Sequence, residues 1–544
     1  MKPMNRNENA YCAFTRVVLR DISLPYKADE KQAIALAAKR LGAVGIKPRK
    51  LDIFRRSVDA RKKGDIRFLY SVSAELERIP DERVLTKING SALVLPLQMP
   101  KQGNLPLKGR VIVTGFGPCG MFAALTLAQA GYKPLVLERG SDVRTRKEKV
   151  DRFLKTGILD TDTNVQFGAG GAGTFSDGKL VTRINDPLGS TVFDTLVSLG
   201  APESIRTLAK PHVGTDKLLG IVEKAESEVK ALGGQILYDT RLLDVRRGVD
   251  GRIRSVLTSA GEIDCEVLIL AVGHSARDTY EMLMEREICL EAKDFSVGAR
   301  VEHLQEDIDY AMYGDADISI LGHAEYTLSH REGNRGVYSF CMCPGGEVVC
   351  ASSEEGGLVV NGMSNYARDG RNANAAIAVS VLKEDYGATP QKAIAYQRAI
   401  ERRAFDIAGG GYKAPVQTMG DFLSERKGTE PSRITPTFRG GAHHELCDLS
   451  KILPPHVFTM MKRGFPVFEK KIRGYSCADA VLTGVETRTS APIRIPRNEE
   501  MTAFGCANLY PAGEGAGYAG GITSAAIDGL KIAYRVIGEY APIK

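Results

Sequence analysis

The chain has 544 residues, 43% of them hydrophobic and 26% charged, with a formal net charge of +7. Three or four structural units are expected at roughly 150 residues each. The longest apolar runs, such as VLILAV at 267–272, are strand-sized, short of the roughly 18 residues that cross a bilayer. Ten cysteines stand at no C-x-x-C or Cys/His zinc spacing, and MKPMNRNENAYCAF has no signal-peptide apolar core; a cytoplasmic protein is expected, without a disulfide scaffold, structural metal or membrane span.

Residues 1–110 hold 23 Lys and Arg against 11 Asp and Glu, so a basic module precedes a mildly acidic body. Its order is strand TRVVLRDI, helix DEKQAIALAAKRLG, strands KLDIFRRSVDA and IRFLYSVSAEL, and a last strand ALVLPL, compatible with a ferredoxin-like α/β module. MPKQGNLPLKGR at 99–110 has Pro, Gly and Lys without periodicity and reads as a linker.

VIVTGFGPCGMFAALTLAQAGYKPLVLERG follows from 111. A strand enters a glycine turn, a helix with Phe122, Leu125 and Ala128 on one face follows, and KPLVLE forms the next strand. Gly115, Gly117 and Gly120 make G-x-G-x-x-G where strand becomes helix: the first permits the tight turn, the second a close approach of a pyrophosphate, the third close helix–strand packing. Pro118 costs little at a helix start, Cys119 packs beside the phosphates, and the free N–H groups face them. Glu138, 23 residues after Gly115, is placed for the ribose hydroxyls, with Arg139 beside it. The fold class expected is α/β: a Rossmann-like dinucleotide domain over 104–294 and 485–544, a mixed α+β substrate or cap domain inserted at 295–484, and the N-terminal module at 1–103. Within the first, QILYDTRLLDVRRG, RIRSVLTSAG and CEVLILAVG read as strands.

The turn alone does not separate FAD from NAD. YPAGEGAGYAGGITSAAIDG at 510–529 holds six glycines and five alanines, yet carries Ile522, Ile527 and Leu530 at helical spacing, which a linker would not. It resembles the late segment of the glutathione-reductase-type FAD superfamily, in which an acid approaches the ribityl and pyrophosphate region and a helix points its N-terminus at the flavin. On that resemblance Gly513, Glu514, Gly520, Gly521 and Ile522 are cofactor residues, and EVLILAVG, ending at Gly273, is the intermediate motif. NVQFGAGGAGTFSDGKL, KPHVGTDKL, GHSARDTYEML, RGVYSFCMCPGGEVV, NGMSNYARDGRNANAAI and GVETRTSAPIRIPR further resemble a family of uncharacterised bacterial FAD-dependent dehydrogenases, labelled NAD(FAD)-utilising dehydrogenases. The resemblance covers most of the chain and implies bound FAD without implying a substrate.

GAGGAGTFSDGK at 168–179 is a candidate backbone nest for the pyrophosphate or flavin edge, through Gly170, Gly171 and Thr174. Asp177 and Lys179 are candidates for substrate or the flavin pyrimidine end. His274 and Arg277 follow a strand end where ligands approach, with a structural pairing of Arg277 to Asp278 or another acid as the alternative. Glu486 and Arg488 are candidates to face the flavin ring, against an interdomain salt bridge; Lys179, Glu486 and Arg488 form the expected catalytic set. Cys341 and Cys343, on one strand, would share a face, as buried apolar residues or as a redox pair. His443, His444 and Glu445 lack a third ligand at metal spacing.

The expected function is FAD-dependent oxidoreduction of an unidentified small molecule, with NADH or NADPH as a transient donor. The alternatives are a flavoenzyme acting on, or recruited to, RNA or an acidic protein through residues 1–110, and a flavin-binding sensor without turnover.

Overall fold

The computed structural model describes residues 15–92 and 98–542 except 183, 185 and 442. They form two compact units: residues 15–92 with 203–211 and 312–322, and the remainder.

In the first unit one antiparallel sheet has the order Lys50–Asp59, Arg67–Leu76, Thr15–Pro25, Gly90–Ala92. Arg67–Leu76 alternates strictly, burying Phe68, Tyr70, Val72, Ala74 and Leu76. Onto that face the helix Lys31–Gly42 turns Ala33, Ala37 and Leu41, at fourfold spacing. A short helix, Glu82–Lys87, was not expected; Asp81 caps it by accepting from the Val84 amide at 3.0 Å. Of the expected strand ALVLPL only Ala92 is in a strand here, and 93–97 lie outside the described residues.

The second unit is built on a five-stranded parallel sheet ordered Leu509–Pro511, Val267–Leu270, Val111–Thr114, Leu135–Leu137, Gln235–Leu237. Connections leave Val111–Thr114 toward both edges, so the crevice at its C-terminal end is the switch point at which such sheets bind ligands. QILYDTRLLDVRRG, expected as one strand, is two. Asp239, at φ 50°, breaks it, and Leu242–Arg247 starts a separate antiparallel sheet with Ile253–Thr258 and Gly261–Asp264. The helix Pro118–Gln129 is not one-faced as expected: Cys119 through Ala128 are all buried, because the helix lies between the sheet and the final helix, Ile522–Glu539. Their approach is backbone to backbone, and a Cβ on Gly529 would stand 2.2 Å from the Cys119 carbonyl oxygen. The expected linker is anchored as well: Gly103 donates to the Ile537 carbonyl at 2.8 Å, and Leu105–Pro106 pairs with Tyr540–Ala541.

Residues 295–486 supply a seven-stranded mixed sheet ordered Ser329–Glu332, Arg335–Cys343, Asn372–Val381, Phe295–Leu304, Val481–Glu486, Ala414–Thr418, His444–Leu446. Its centre, Phe295–Leu304, is buried at every residue; helices Pro390–Ile407 and Pro455–Lys471 belong to the same region. Among the described residues no helix is long and apolar enough to cross a membrane, and no cluster of three metal-ligating side chains occurs.

Candidate flavin site

One cleft opens at the switch point. It is lined by Gly115 and Gly117–Cys119 from the first turn, Glu138 and Arg139, the loop 166–179, Gly273–Ala276, Glu514, and Gly520–Ile522. Cys341, Glu486 and Arg488 line it from the inserted sheet.

The glycines divide into two kinds. Gly115 has φ 92° and a Cβ there would meet the Ala271 carbonyl oxygen at 2.4 Å; on Gly120 it would meet the Gly115 oxygen at 1.9 Å. Both serve the turn and its packing. Around Gly520 and Gly521 there is nothing within 4 Å of a Cβ: their backbone faces open cleft. Two helices start at the cleft, at Pro118 and Ile522, neither with a side-chain cap, so their N-terminal amides and dipoles face it.

Glu138 is buried and accepts from the amides of Phe116 at 2.7 Å and of Gly140 and Gly168 at 3.0 Å. It therefore ties the glycine turn to the 168 loop as well as lining the cleft. Arg139 packs its guanidinium 4.2 Å from the Phe167 ring centre and pairs with Asp278 and with Asp162, the latter at 3.4 Å. Gly170 and Gly171 have φ of 83° and 65°, and Thr174 follows in a short 3-10 turn. Gly170, Thr174 and Gly513 stand behind the lining, which Gly171 reaches; Gly513 donates to Asp528 at 2.7 Å.

Asp177 is fully buried and receives Lys179 at 2.8 Å, Arg368 at 2.6 and 3.0 Å, and the Ser364 hydroxyl. Burial opposes its charge, but Lys179 and Arg368 outweigh that and hold its carboxyl at about 2. Lys179 also donates to the Met342 carbonyl; burial works against its charge, and Asp177 raises its pKa above the ordinary lysine range. These two residues clamp the 168–179 loop to the inserted sheet at the cleft wall.

Arg488 pairs with Glu401 at 2.9 Å and donates to the Ser353 hydroxyl at 2.5 Å. Arg277 pairs with Glu401 at 2.7 Å and Glu354 at 2.5 Å, while Asp278 goes to Arg139. Glu486 takes Arg300 at 2.7 and 3.1 Å; burial raises its pKa, which Arg300 partly offsets. Glu514 differs from these. A carboxyl oxygen lies 3.7 Å from the His274 Nδ1, and burial, which Lys293 only partly offsets, pushes its carboxyl up to about 7. His274 is itself held neutral, at about 3, by burial and by Arg488 and Arg277.

Residues 294–489 match the model of a family described as FAD-dependent protein, C-terminal domain-like, and residues 18–75 match a domain of unknown function. An uncharacterized protein of Clostridium beijerinckii is 47% identical over 499 residues, 90% of this chain and 93% of that protein. The chain belongs to that protein's family. Cys341, Glu486 and Arg488 lie within the residues that match the FAD-dependent model. Among solved structures, an L-amino acid deaminase from Proteus vulgaris is 10% identical over 82% of this chain and 97% of its own, with a TM-score of 0.37. A glycine oxidase from Geobacillus kaustophilus is 11% identical over 80% and 96%, with a TM-score of 0.34. Likenesses of that extent assign neither protein's chemistry to this family member.

The residues suit FAD by their own chemistry. His274, which lines the cleft, leaves its Nε2 buried without a hydrogen-bond partner among the described residues, uncapped helix starts face the cleft, and two glycines leave it clear.

Three site residues escaped the sequence reading. Arg146, in the run RTRKEK, is wholly buried and donates to the carbonyls of Asn164, Val165, Gly168, Ala169 and Gly171 at 2.6–3.2 Å; burial lowers its pKa to about 10. Asp528 takes the Gly513 amide and Arg497, and its signal is an acid within the otherwise uncharged ITSAAIDGL. Glu401 lies in a helix with six charged side chains, and nothing local marks it as the buried one.

Proposed function

We propose that the protein is a FAD-dependent oxidoreductase that moves hydride between flavin and a small substrate held against the inserted sheet. One observation carries this reading: the glycine turn, Gly273, Glu514 and the Gly520–Ile522 helix start share a single cleft with Cys341, Glu486 and Arg488. Bound FAD supplies a two-electron centre that accepts or returns hydride; this chain supplies position and field.

The two helix starts and the 168–171 backbone suit the pyrophosphate, and Glu138 suits the adenosine ribose. Glu514 holds a carboxyl that titrates near neutrality, able to keep or release a proton beside the cofactor. Neutral His274 offers Nε2 as donor or acceptor. Arg488 brings a cation to the cleft wall, and because Glu401 fixes its guanidinium, it is orientated before substrate arrives. The 168–179 loop, clamped by Asp177, Lys179 and Arg368, walls the cleft from water.

The test is an anaerobic absorbance titration of the FAD-loaded protein with NADH and NADPH, after the bound flavin has been quantified. One FAD per chain, with bleaching at stoichiometric NADH or NADPH, is the expected result and makes the nicotinamide the donor. One FAD per chain that neither donor reduces places the electron source in the substrate. Failure to bind FAD overturns the reading.

A further inference from the structure

The strand Arg335–Cys343 breaks its register against Asn372–Val381 between Phe340 and Cys343: Phe340 lies opposite Ala376 and Cys343 opposite Asn374. Cys341 and Met342 therefore share one partner position, and the strand bulges toward the cleft. Cys341 sits there at φ 46°, a left-handed conformation costly for a side chain with a Cβ and found where a site over-determines the backbone. Three contacts hold it: Arg300 donates to the Cys341 carbonyl at 2.9 Å, Lys179 donates to the Met342 carbonyl, and the Cys343 thiol turns back to the Cys341 carbonyl at 3.4 Å.

The two cysteines differ in access. Cys341 lines the cleft together with Gly273, Glu514 and Arg488, whereas Cys343 is buried behind it, 4.0 Å from an Arg300 nitrogen. An accessible sulfur backed by a buried one, with a lysine and an arginine beside them, is the arrangement of an attacking and a resolving thiol.

We propose that Cys341 and Cys343 are a redox pair that interconverts between dithiol and disulfide and exchanges its electrons with flavin bound in the cleft. Closing the S–S bond releases two electrons and two protons from the two thiols, and oxidised flavin takes up both electrons with the protons to become reduced flavin; the reverse step reduces the disulfide. The exchange with flavin rests on the FAD reading above, and formation of the disulfide does not. The adjacent Cys343 thiol, Arg300 and Lys179 draw the Cys341 thiol below the usual cysteine range against its burial, while Cys343 is pushed up, so Cys341 is the first of the two to ionise.

The experiment takes the full-length protein, with bound FAD quantified first, through glutathione buffers of graded potential and reads the 341–343 peptide by mass. An intrapeptide disulfide, lost in Cys341→Ser and in Cys343→Ser, is expected. In the dithiol form Cys341 alkylates with iodoacetamide at pH 6 at least ten-fold faster than an ordinary cysteine, through its larger thiolate fraction. Anaerobic mixing of dithiol protein with oxidised FAD bleaches the flavin as the disulfide appears. A peptide that keeps both thiols in oxidised glutathione, in protein that retains one FAD per chain, overturns the pair. A disulfide that forms while bound FAD stays oxidised overturns the electron exchange, and absence of FAD binding with a disulfide present overturns the FAD reading alone.

Discussion

Glu401 and Arg488 meet at 2.9 Å with the carboxylate 1% and the guanidinium 3% exposed, and the same carboxylate takes Arg277 at 2.7 Å. One buried anion thus orientates the arginine that reaches the cleft and the arginine that opens the helix Arg277–Glu285. Both guanidinium groups, with the Thr487 hydroxyl at 2.7 Å, saturate it. Burial opposes the charge on Glu401, but the two arginines win and hold its carboxyl far below the usual range.

Glu401→Gln leaves two buried cations facing a neutral amide, with Glu354 as the remaining acid near them. Breaking a buried ion pair from one side costs about 3–5 kcal/mol. Urea unfolding of Glu401→Gln is expected to show a loss of that order, and Arg488→Gln a smaller one, because Arg277 still neutralises Glu401. A loss under 1 kcal/mol for Glu401→Gln would show that the arginines do not depend on it.

Glu514 gives the protein a pH dependence near neutrality. Its folded-state pKa, about 7, is raised from the ordinary glutamate value of 4.5, so the folded state favours the protonated acid. The stabilisation is fully present below about pH 4.5 and is lost as pH rises through 7. The shift corresponds to at most about 3 kcal/mol, reduced by the access of water to a side chain 26% exposed. Thermal unfolding of the FAD-free protein is expected to show stability falling between pH 5 and 8, and Glu514→Gln is expected to abolish that component.

Asp177 acts in the opposite sense. Its carboxyl is held at about 2 against 3.8, so the clamp between the 168–179 loop and the inserted sheet is complete above pH 4 and is lost as pH falls toward 2. Asp177→Asn is expected to open the loop at neutral pH. Limited proteolysis checks this: cleavage within 168–182 should appear in the variant at pH 7 and in the parent protein only under acid.

What the sequence displays and what it hides follow from the range of the interactions. The glycine turn, Glu138 and the Gly520–Ile522 helix start are local patterns of strand, turn and helix, legible because each works through its own backbone. Asp239 hid the split of 235–248 into two strands, since a left-handed φ at a non-glycine residue leaves no mark in the sequence. Arg146 was invisible because its five partners are carbonyls 18–25 residues away, and Glu401 because its partners lie about 90 and 120 residues off. The bulge at Cys341 depends on the register of the Asn372–Val381 strand, which the local spacing of Cys341 and Cys343 does not contain.

Arg146 tests the buried clamp directly. Its five donated hydrogen bonds end on carbonyls of a loop with three left-handed glycines, Gly168 at φ 120°, Gly170 at φ 83° and Gly171 at φ 65°, and a Cβ on Gly168 would stand 2.4 Å from the Arg146 side chain. Arg146→Met keeps the stem and leaves these carbonyls without the donor. At about 1 kcal/mol or more for each buried acceptor left unpaired, a loss of several kcal/mol is expected in urea unfolding, with FAD content falling in parallel because Gly168 and Gly171 line the cleft.

The two kinds of glycine give the sharpest separation of fold from cofactor. Gly120→Ala sets a methyl 1.9 Å from the Gly115 carbonyl oxygen, so turn and helix must part, and both stability and FAD content are expected to fall. Gly520→Ala and Gly521→Ala meet nothing within 4 Å, and Gly521, at φ 172°, has extended backbone that any residue adopts. Their folding stability is expected to stay within about 1 kcal/mol of the parent's. If flavin approaches the helix start at Ile522, the added methyl stands in its path, and FAD affinity measured by fluorescence quenching should fall at least ten-fold in protein whose unfolding curve is unchanged. Unaltered affinity in both variants would move the cofactor away from that helix start and remove the reason for its glycines.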